Sequence, residues 1–134
     1  MQNILIDTNI LIDYANGYAK WLEDLLDAKV PVAKLILPTI VIAEYFTSAS
    51  LENKDNAYAA DRTFSLFAKQ DLNESIAKIL GEIMRRKTYV PSAGVSDLII
   101  ASTAIFLDAE LATNNKKDFA KIPNLRFFNP KNLN

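Results

Sequence analysis

Apolar residues along this chain come in two rhythms, short unbroken aliphatic runs and longer stretches at helical spacing. Ile4-Leu5-Ile6 is the first run and reads as a buried parallel strand. It ends in Asp7, after which Thr8 or Asn9 can cap a helix carrying Ile10, Leu11 and Tyr14 on one face. Gly17 marks a break. Tyr18 to Ala28 then has Trp21, Leu22, Leu25 and Leu26 at amphipathic spacing. Lys34 to Leu37, stopped by Pro38, is a second strand. Thr39 is positioned to cap a helix from Ile40 to about Ser48. Leu51 to Asn56 is polar, Ala57 to Phe67 is helical by pattern, and Phe67 to Gln70 reads as a short third strand. Asn73 or Asp71 caps a helix from Glu74 to Lys87 with Ile76, Ile79, Leu80 and Ile83 inward. After a loop from Tyr89 to Val95, Ser96 opens an apolar helix to Leu107. Glu110 to Thr113 is a fourth strand, Asn114 to Lys121 a polar loop or one helical turn, and Leu125 to Phe128 a fifth strand. Strands alternating with helices predict an α/β fold, a central parallel sheet of four to five strands flanked by helices. No linker or repeat interrupts residues 1–134, so one domain is expected.

Composition narrows the chemistry. Half of the 134 residues are hydrophobic, enough for a real core. The formal net charge is -1, so there is no global basic field of the kind that marks many nucleic-acid binders. The sequence has no Cys and no His. That removes disulfides, zinc fingers, thiol nucleophiles and imidazole acid–base catalysis together. Any bound metal must take oxygen ligands, which favours magnesium or manganese over zinc or copper. No signal peptide is apparent, because Asp7 interrupts the first apolar run. No apolar run is long enough to span a bilayer. A cytoplasmic protein is expected.

Three acids sit in apolar surroundings: Asp7, Glu44 and Asp97. Buried carboxylates without partners are rare. In a parallel sheet every strand-to-helix turn lies at one edge, so Asp7 and Glu44 should meet there, joined by Thr113 and Asn115 after the fourth strand. Clustered carboxylates repel one another and shift upward in pKa unless a divalent ion relieves them. Each acid has a plainer reading. Asp7 can be a helix cap, Asp97 a first-turn acid on the helix dipole, and Glu44 a solvated-face residue. Glu44 is the hardest to dismiss, because its helix shows almost no polar face. Asp13, Glu23, Asp24, Asp27 and Asp108 read as surface acids. Tyr14, Tyr18 and Trp21 are either core or a groove for a partner, and core is the favoured reading.

These segments resemble a known family. Ile4-Leu5-Ile6-Asp7-Thr8-Asn9-Ile10-Leu11-Ile12-Asp13-Tyr14 is similar to the opening motif of PIN domains, in particular those of VapC-type toxins. Pro38-Thr39-Ile40-Val41-Ile42-Ala43-Glu44 resembles the second acidic motif. Ser96-Asp97-Leu98-Ile99-Ile100-Ala101-Ser102-Thr103-Ala104 resembles the third. Leu111-Ala112-Thr113-Asn114-Asn115-Lys116-Lys117-Asp118-Phe119 resembles the closing one. The resemblance implies a PIN-like three-layer fold and a metal-dependent endoribonuclease, the toxin of a toxin–antitoxin pair. It implies Asp7 and Asp97 as principal ligands of magnesium or manganese, Glu44 completing the acidic pocket, and Asn9 and Thr113 fixing the carboxylates. Many members carry Asp where this chain has Asn115; the nearest carboxylate is Asp118. RNA as substrate, a cognate antitoxin as partner and a homodimer are implied as well.

The expected chemistry is attack on an RNA phosphodiester by a metal-activated water. The absence of His agrees with it. Arg85, Arg86, Lys87, Lys116 and Lys117 are the candidate RNA-backbone contacts, although charge runs are more often simply solvated. Two rivals remain. One is a catalytically weak PIN-like module that acts by binding a protein or RNA partner, motivated by Asn115. The other is a phosphoacceptor receiver domain, which needs an acidic pair after the first strand and a lysine after the last; this chain has Asp7-Thr8 and no matching lysine.

Overall fold

The strand that begins the chain lies at the centre of the sheet. In a computed structural model, which describes residues 1–133, β1 (Gln2–Ile6) pairs in parallel with β2 (Ala33–Pro38) on one side and β4 (Glu110–Ala112) on the other. Then β3 (Ala68–Gln70) adds to β2 and β5 (Arg126–Phe127) adds to β4, both parallel, giving the order β3-β2-β1-β4-β5. A central parallel strand is covered on both faces, which is why Ile4, Leu5 and Ile6 run consecutively apolar and are wholly buried. The flanking helices are α1 (Thr8–Ala15), α2 (Lys20–Asp27), α3 (Thr39–Tyr45), α4 (Lys54–Phe64), α5 (Glu74–Arg86) and α6 (Val95–Phe106). The fold is the PIN-like α/β arrangement expected.

The strand order has a consequence for the site. From β1 the chain builds outward through β2 and β3, then returns to the other side of β1 for β4 and β5. The direction of winding therefore reverses between β1 and β4. Crevices at the carboxyl ends of strands flanking such a reversal are where ligands bind in open α/β sheets. Asp7 follows the last residue of β1, Thr113 follows the last residue of β4, and the Asp7 amide donates to the Ala112 carbonyl at 3.1 Å.

Several boundaries differ from the sequence reading, each for a local reason. The cap of α1 is Asp7 itself, whose side chain accepts from the Thr8 amide; Thr8 and Asn9 lie inside the helix. Gly17 separates α1 from α2 at a φ of 81°, a conformation open to glycine at no steric cost. Helix α3 follows Pro38 directly and stops at Tyr45, short of Ser48. Asn53 caps α4, which starts three residues before Ala57, because the Asn53 side chain accepts from both Asp55 and Asn56 amides. Asn73, rather than Asp71, caps α5. Gly94 precedes α6, so Ser96 lies within that helix.

The aromatic residues of the first helices divide. Tyr14 packs edge-on to Phe67, and Trp21 lies against Phe128 with ring centroids 5.0 Å apart. Tyr18 is 80% exposed and is not core. Among the described residues, no helix is long and apolar enough to cross a membrane.

Candidate acidic site at the carboxyl edge of the sheet

Asp7 is the buried charge of this edge, only 4% exposed. Its Oδ1 accepts from the Thr8 amide at 2.7 Å, a bond that the extended backbone of a helix cap makes available. Its Oδ2 accepts from Thr113 Oγ1 at 2.7 Å and from Asn9 Nδ2 at 3.0 Å. Asn9 is itself fixed, because its Oδ1 accepts from the Asn114 amide at 3.0 Å. Thus the turn after β1 and the turn after β4 are tied together through one carboxylate. Burial pushes the Asp7 pKa up, the donors from Thr113, Thr8 and Asn9 pull it down, and the nearby Glu44 charge raises it again; the net direction is upward.

Glu44, half-buried on α3, is held from two further helices. Thr8 Oγ1 on α1 donates to Oε1 at 2.8 Å, and Ser96 Oγ on α6 donates to Oε2 at 3.2 Å. Asp97 lies one residue beyond Ser96. Its Oδ2 accepts from the Gly94 amide at 3.0 Å, the bond of a first-turn acid reaching back to its cap. The Asp97 pKa is raised, first by partial burial, and then by the charges of Asp7, Asp118 and Glu44. Among the described residues no lysine or arginine pairs with Asp7, Glu44 or Asp97. The charged groups that shift Asp7 and Asp97 are all acids.

Asp7, Glu44 and Asp97 therefore share one edge, chained through Thr8 and Ser96. They are not gathered to a point: among the described residues no three acidic side chains stand close enough together to hold an ion as placed. The reason is visible in the hydrogen bonds, since each carboxylate is turned toward a donor of its own chain. The donor chemistry nonetheless fits a hard divalent cation. All donors are oxygens, and the raised pKa values of Asp7 and Asp97 record burial and repulsion that a cation would relieve.

The fourth motif arranges itself differently from Asp7, Glu44 and Asp97. Asn115 donates its side-chain amide to Asp118 Oδ2, while its backbone amide donates to Thr113 Oγ1 at 3.0 Å. Asp118 also accepts from Ser92 Oγ at 2.7 Å, which joins the loop before α6 to the short 3-10 turn Lys116–Phe119. The Asn115 side chain thus serves Asp118, and the Asp118 charge is one that Asp97 feels.

The candidate RNA contacts separate. Lys116 and Lys117 lie in the turn after β4, at the acidic edge. Arg85, Arg86 and Lys87 lie at the end of α5. Arg86 there lines a recess with Ile105, near the end of α6, and with Pro123 and Asn124, which precede β5. That is the opposite edge of the sheet, so the structure does not bring these three to the acids.

Sequence reasoning did not find the hydroxyls of Thr8 and Ser96 on Glu44, the hydroxyl of Ser92 on Asp118, or the Asn114 link to Asn9. Ser96 and Thr8 each adjoin a singled-out acid, and that adjacency was the available signal. Asn114 also donates to Asp13 Oδ2 at 2.7 Å, so Asp13 is a clasp between α1 and the turn after β4 rather than a free surface acid.

Comparison with known proteins decides the family. The PIN domain profile matches residues 4–125. This chain belongs to the PIN domain family. Among its PIN relatives, Ribonuclease VapC2 of Rickettsia felis is 31% identical over 126 residues, covering 90% of this chain and 92% of that one. Ribonuclease VapC19 of Mycobacterium tuberculosis is 32% identical over 130 residues, covering 91% and 96%. A crystal structure of VapBC2 from Rickettsia felis bound to a DNA fragment from their promoter superposes with a TM-score of 0.75 at 30% identity, covering 96% of this chain and 98% of that one. The match takes in every element from β1 to the turn before β5, and with them all four acidic segments.

Proposed function

We propose that this PIN domain is a divalent-metal-dependent endoribonuclease, the toxin of a VapBC-type pair, with a cognate antitoxin as its partner and a homodimer as its assembly. The observation that carries the reading is the buried Asp7 carboxylate at the β1/β4 reversal, sharing one edge with Glu44 and Asp97, with no lysine or arginine paired to any of the three among the described residues. The relatives named above are ribonucleases, and a structure similar to this chain is that of VapBC2 bound to a DNA fragment from their promoter.

Asp7 and Asp97 would hold the ion, with Glu44 beside them; an all-oxygen donor set favours magnesium or manganese over zinc or copper. When bound, such an ion lowers the pKa of a water and neutralises charge building on a phosphodiester. The chain's own groups do the rest. Thr113, Asn9 and the Thr8 amide fix Asp7 in one rotamer. Thr8 and Ser96 fix Glu44, which stands ready to orient the attacking water. Gly94 engages one oxygen of Asp97 and leaves the other to a ligand. Asp118, steadied by Asn115 and Ser92, adds negative charge on the Asp97 side. Lys116 and Lys117 would meet RNA phosphates.

The test is cleavage of RNA by the purified chain with magnesium, with manganese and with EDTA, beside Asp7→Asn. Cleavage that needs the ion and falls at least about a hundredfold in the variant is the expected result, given that even groups behind the ligands cost 10–100-fold. Undiminished cleavage in EDTA, or by Asp7→Asn, overturns the reading. A second reading, a PIN module acting through binding alone, draws on Asn115 standing where other members carry Asp. Metal-independent RNA binding without cleavage at any ion concentration would favour it.

A further inference from the structure

Beside the acidic corner, on its β4 side, lies a small recess that the proposed chemistry does not use. It has a volume of about 130 Å³ and is bordered by Trp21, Phe128, Thr113, Asn114, Lys116 and Asn129. Drug-sized ligand sites occupy about 300–1,000 Å³, so this recess admits one planar ring and little more. Its composition suits a nucleotide. Trp21, half-buried and tilted on Phe128, offers an aromatic surface. Lys116 also borders the recess, although its Nζ rests 5.6 Å from the ring centroid of Phe127, outside the recess. Asn129, exposed at the rim, spends its Oδ1 on the Lys131 amide at 3.0 Å, which leaves its Nδ2 open to solvent and to a ligand. The recess also shares Thr113 with the acidic corner, where Thr113 Oγ1 donates to Asp7 at 2.7 Å. A phosphate at the acids therefore places a neighbouring base within reach of the recess.

We infer that this recess is a nucleobase subsite: one base next to the scissile phosphate lies against Trp21, its phosphate neutralised by Lys116 and its edge read by the Asn129 amide. The inference rests on the ribonuclease reading, and it adds a source of base preference to a site whose carboxylates read only the backbone. Stacking on an aromatic side chain is sequence-tolerant, whereas the amide is selective.

The chain has one tryptophan, so its emission reports on this recess alone. Hexamers of uridylate, adenylate, cytidylate and guanylate are titrated into the metal-free chain with EDTA present, so that nothing is cut. Trp21 emission should change saturably, with one base favoured. Lys116→Gln should weaken all four hexamers by roughly threefold to tenfold. Asn129→Ser retains an oxygen for the Lys131 amide and should change the ranking of the bases. Trp21→Leu risks the packing on Phe128, so Asn129→Ser and Lys116→Gln are the deciding variants. The inference is overturned if binding saturates by anisotropy of a labelled hexamer while Trp21 emission stays unmoved. It is overturned equally if Asn129→Ser and Lys116→Gln leave affinity and ranking unchanged. A chain that shifts Trp21 emission with RNA but cleaves none with magnesium or manganese fails the ribonuclease reading and leaves the subsite standing.

Discussion

The two edges of the sheet carry their charges in opposite ways. At the amino edge, charges are paired and exposed: Arg126 meets Asp108 at 2.8 Å, and Arg86 meets Glu82 at 3.0 Å, with every partner's side chain at least half open to water. At the carboxyl edge Asp7 is buried, Glu44 and Asp97 are half-buried, and their partners are hydroxyls and amides. An exposed pair gains little, because water already solvates both members and salt screens them. A buried carboxylate held by neutral donors is satisfied in its hydrogen bonds but not in its charge. The first edge is finished when the chain folds. On the function proposed above, the second is completed by a cation that arrives, and this is the physical sense in which it would be a site.

The sharpest way to break that contrast is to remove one negative charge from each edge. Asp97→Asn should lower metal-dependent RNA cleavage by at least about a hundredfold. Asp108→Asn should leave it unchanged and shift the melting temperature by no more than about 2 °C. Equal losses in the two variants would show that the edges do not differ in function.

A smaller effect should follow from the hydroxyls behind Glu44. Ser96→Ala keeps the helix and all three acids but frees one oxygen of Glu44, which then has fewer constraints on its long side chain. An approximately tenfold fall in kcat with little change in KM is expected, and Ser96→Thr, which keeps a hydroxyl, should recover most of it. A variant whose KM rises while kcat holds would place Ser96 in RNA binding instead.

Acidity separates the edges in another way. The Asp7 pKa is raised above its usual 3.8, chiefly by burial, so the folded chain binds that proton more tightly than the unfolded chain. The stability it lends is fully present below the unfolded value and is lost as pH rises through the folded one. Without metal, the melting temperature of the parent chain should therefore fall behind that of Asp7→Asn as pH climbs from about 4 toward 7. Adding magnesium or manganese should restore the parent and not the variant. A constant difference between the two melting temperatures across that range would contradict the burial argument.

How far the sequence foretold this depends on the range of the forces involved. The central strands were legible because a covered parallel strand demands an unbroken apolar stretch such as Ile4 to Ile6, whereas the exposed edge strand Ala68–Gln70 was read from its place between two helical patterns. The acids stood out because Asp7, Glu44 and Asp97 interrupt those stretches. Strand order was not legible: nothing local says that β4 returns to the far side of β1. That Thr113 shares an edge with Asp7 was legible, from the common edge of a parallel sheet and from the family resemblance, and the hydrogen bond between them agrees. Other partners were hidden for the same reason as the strand order. Ser96 finds Glu44 across 52 positions, and Asn114 finds Asp13 across 101. Caps were misread by one or two residues, because Asp7 and Gly94 compete with neighbours of similar capping propensity. The basic run Arg85-Arg86-Lys87 misled most, since a run shows charge but not which edge the helix carries it to.

The placement of that basic run gives the weakest expected effect and the finest test of the contrast. Lys117 lies in the turn after β4, at the acidic edge, whereas Arg85, Arg86 and Lys87 end α5 at the paired edge. RNA binding releases one set of counterions per phosphate neutralised, with a slope of about -0.7 per contact on a single strand. Lys117→Gln should therefore flatten the dependence of log affinity on log salt by about 0.7, with only a modest loss of affinity at low salt. Replacing Arg85, Arg86 and Lys87 together by Gln should leave the slope where it was, because a short strand anchored at Asp7 does not extend around the sheet to them. If the triple replacement flattens the slope by about 2 and Lys117→Gln does nothing, RNA runs along the paired edge. The division of labour between the two ends of the strands would then have to be redrawn with the arginines as binding groups.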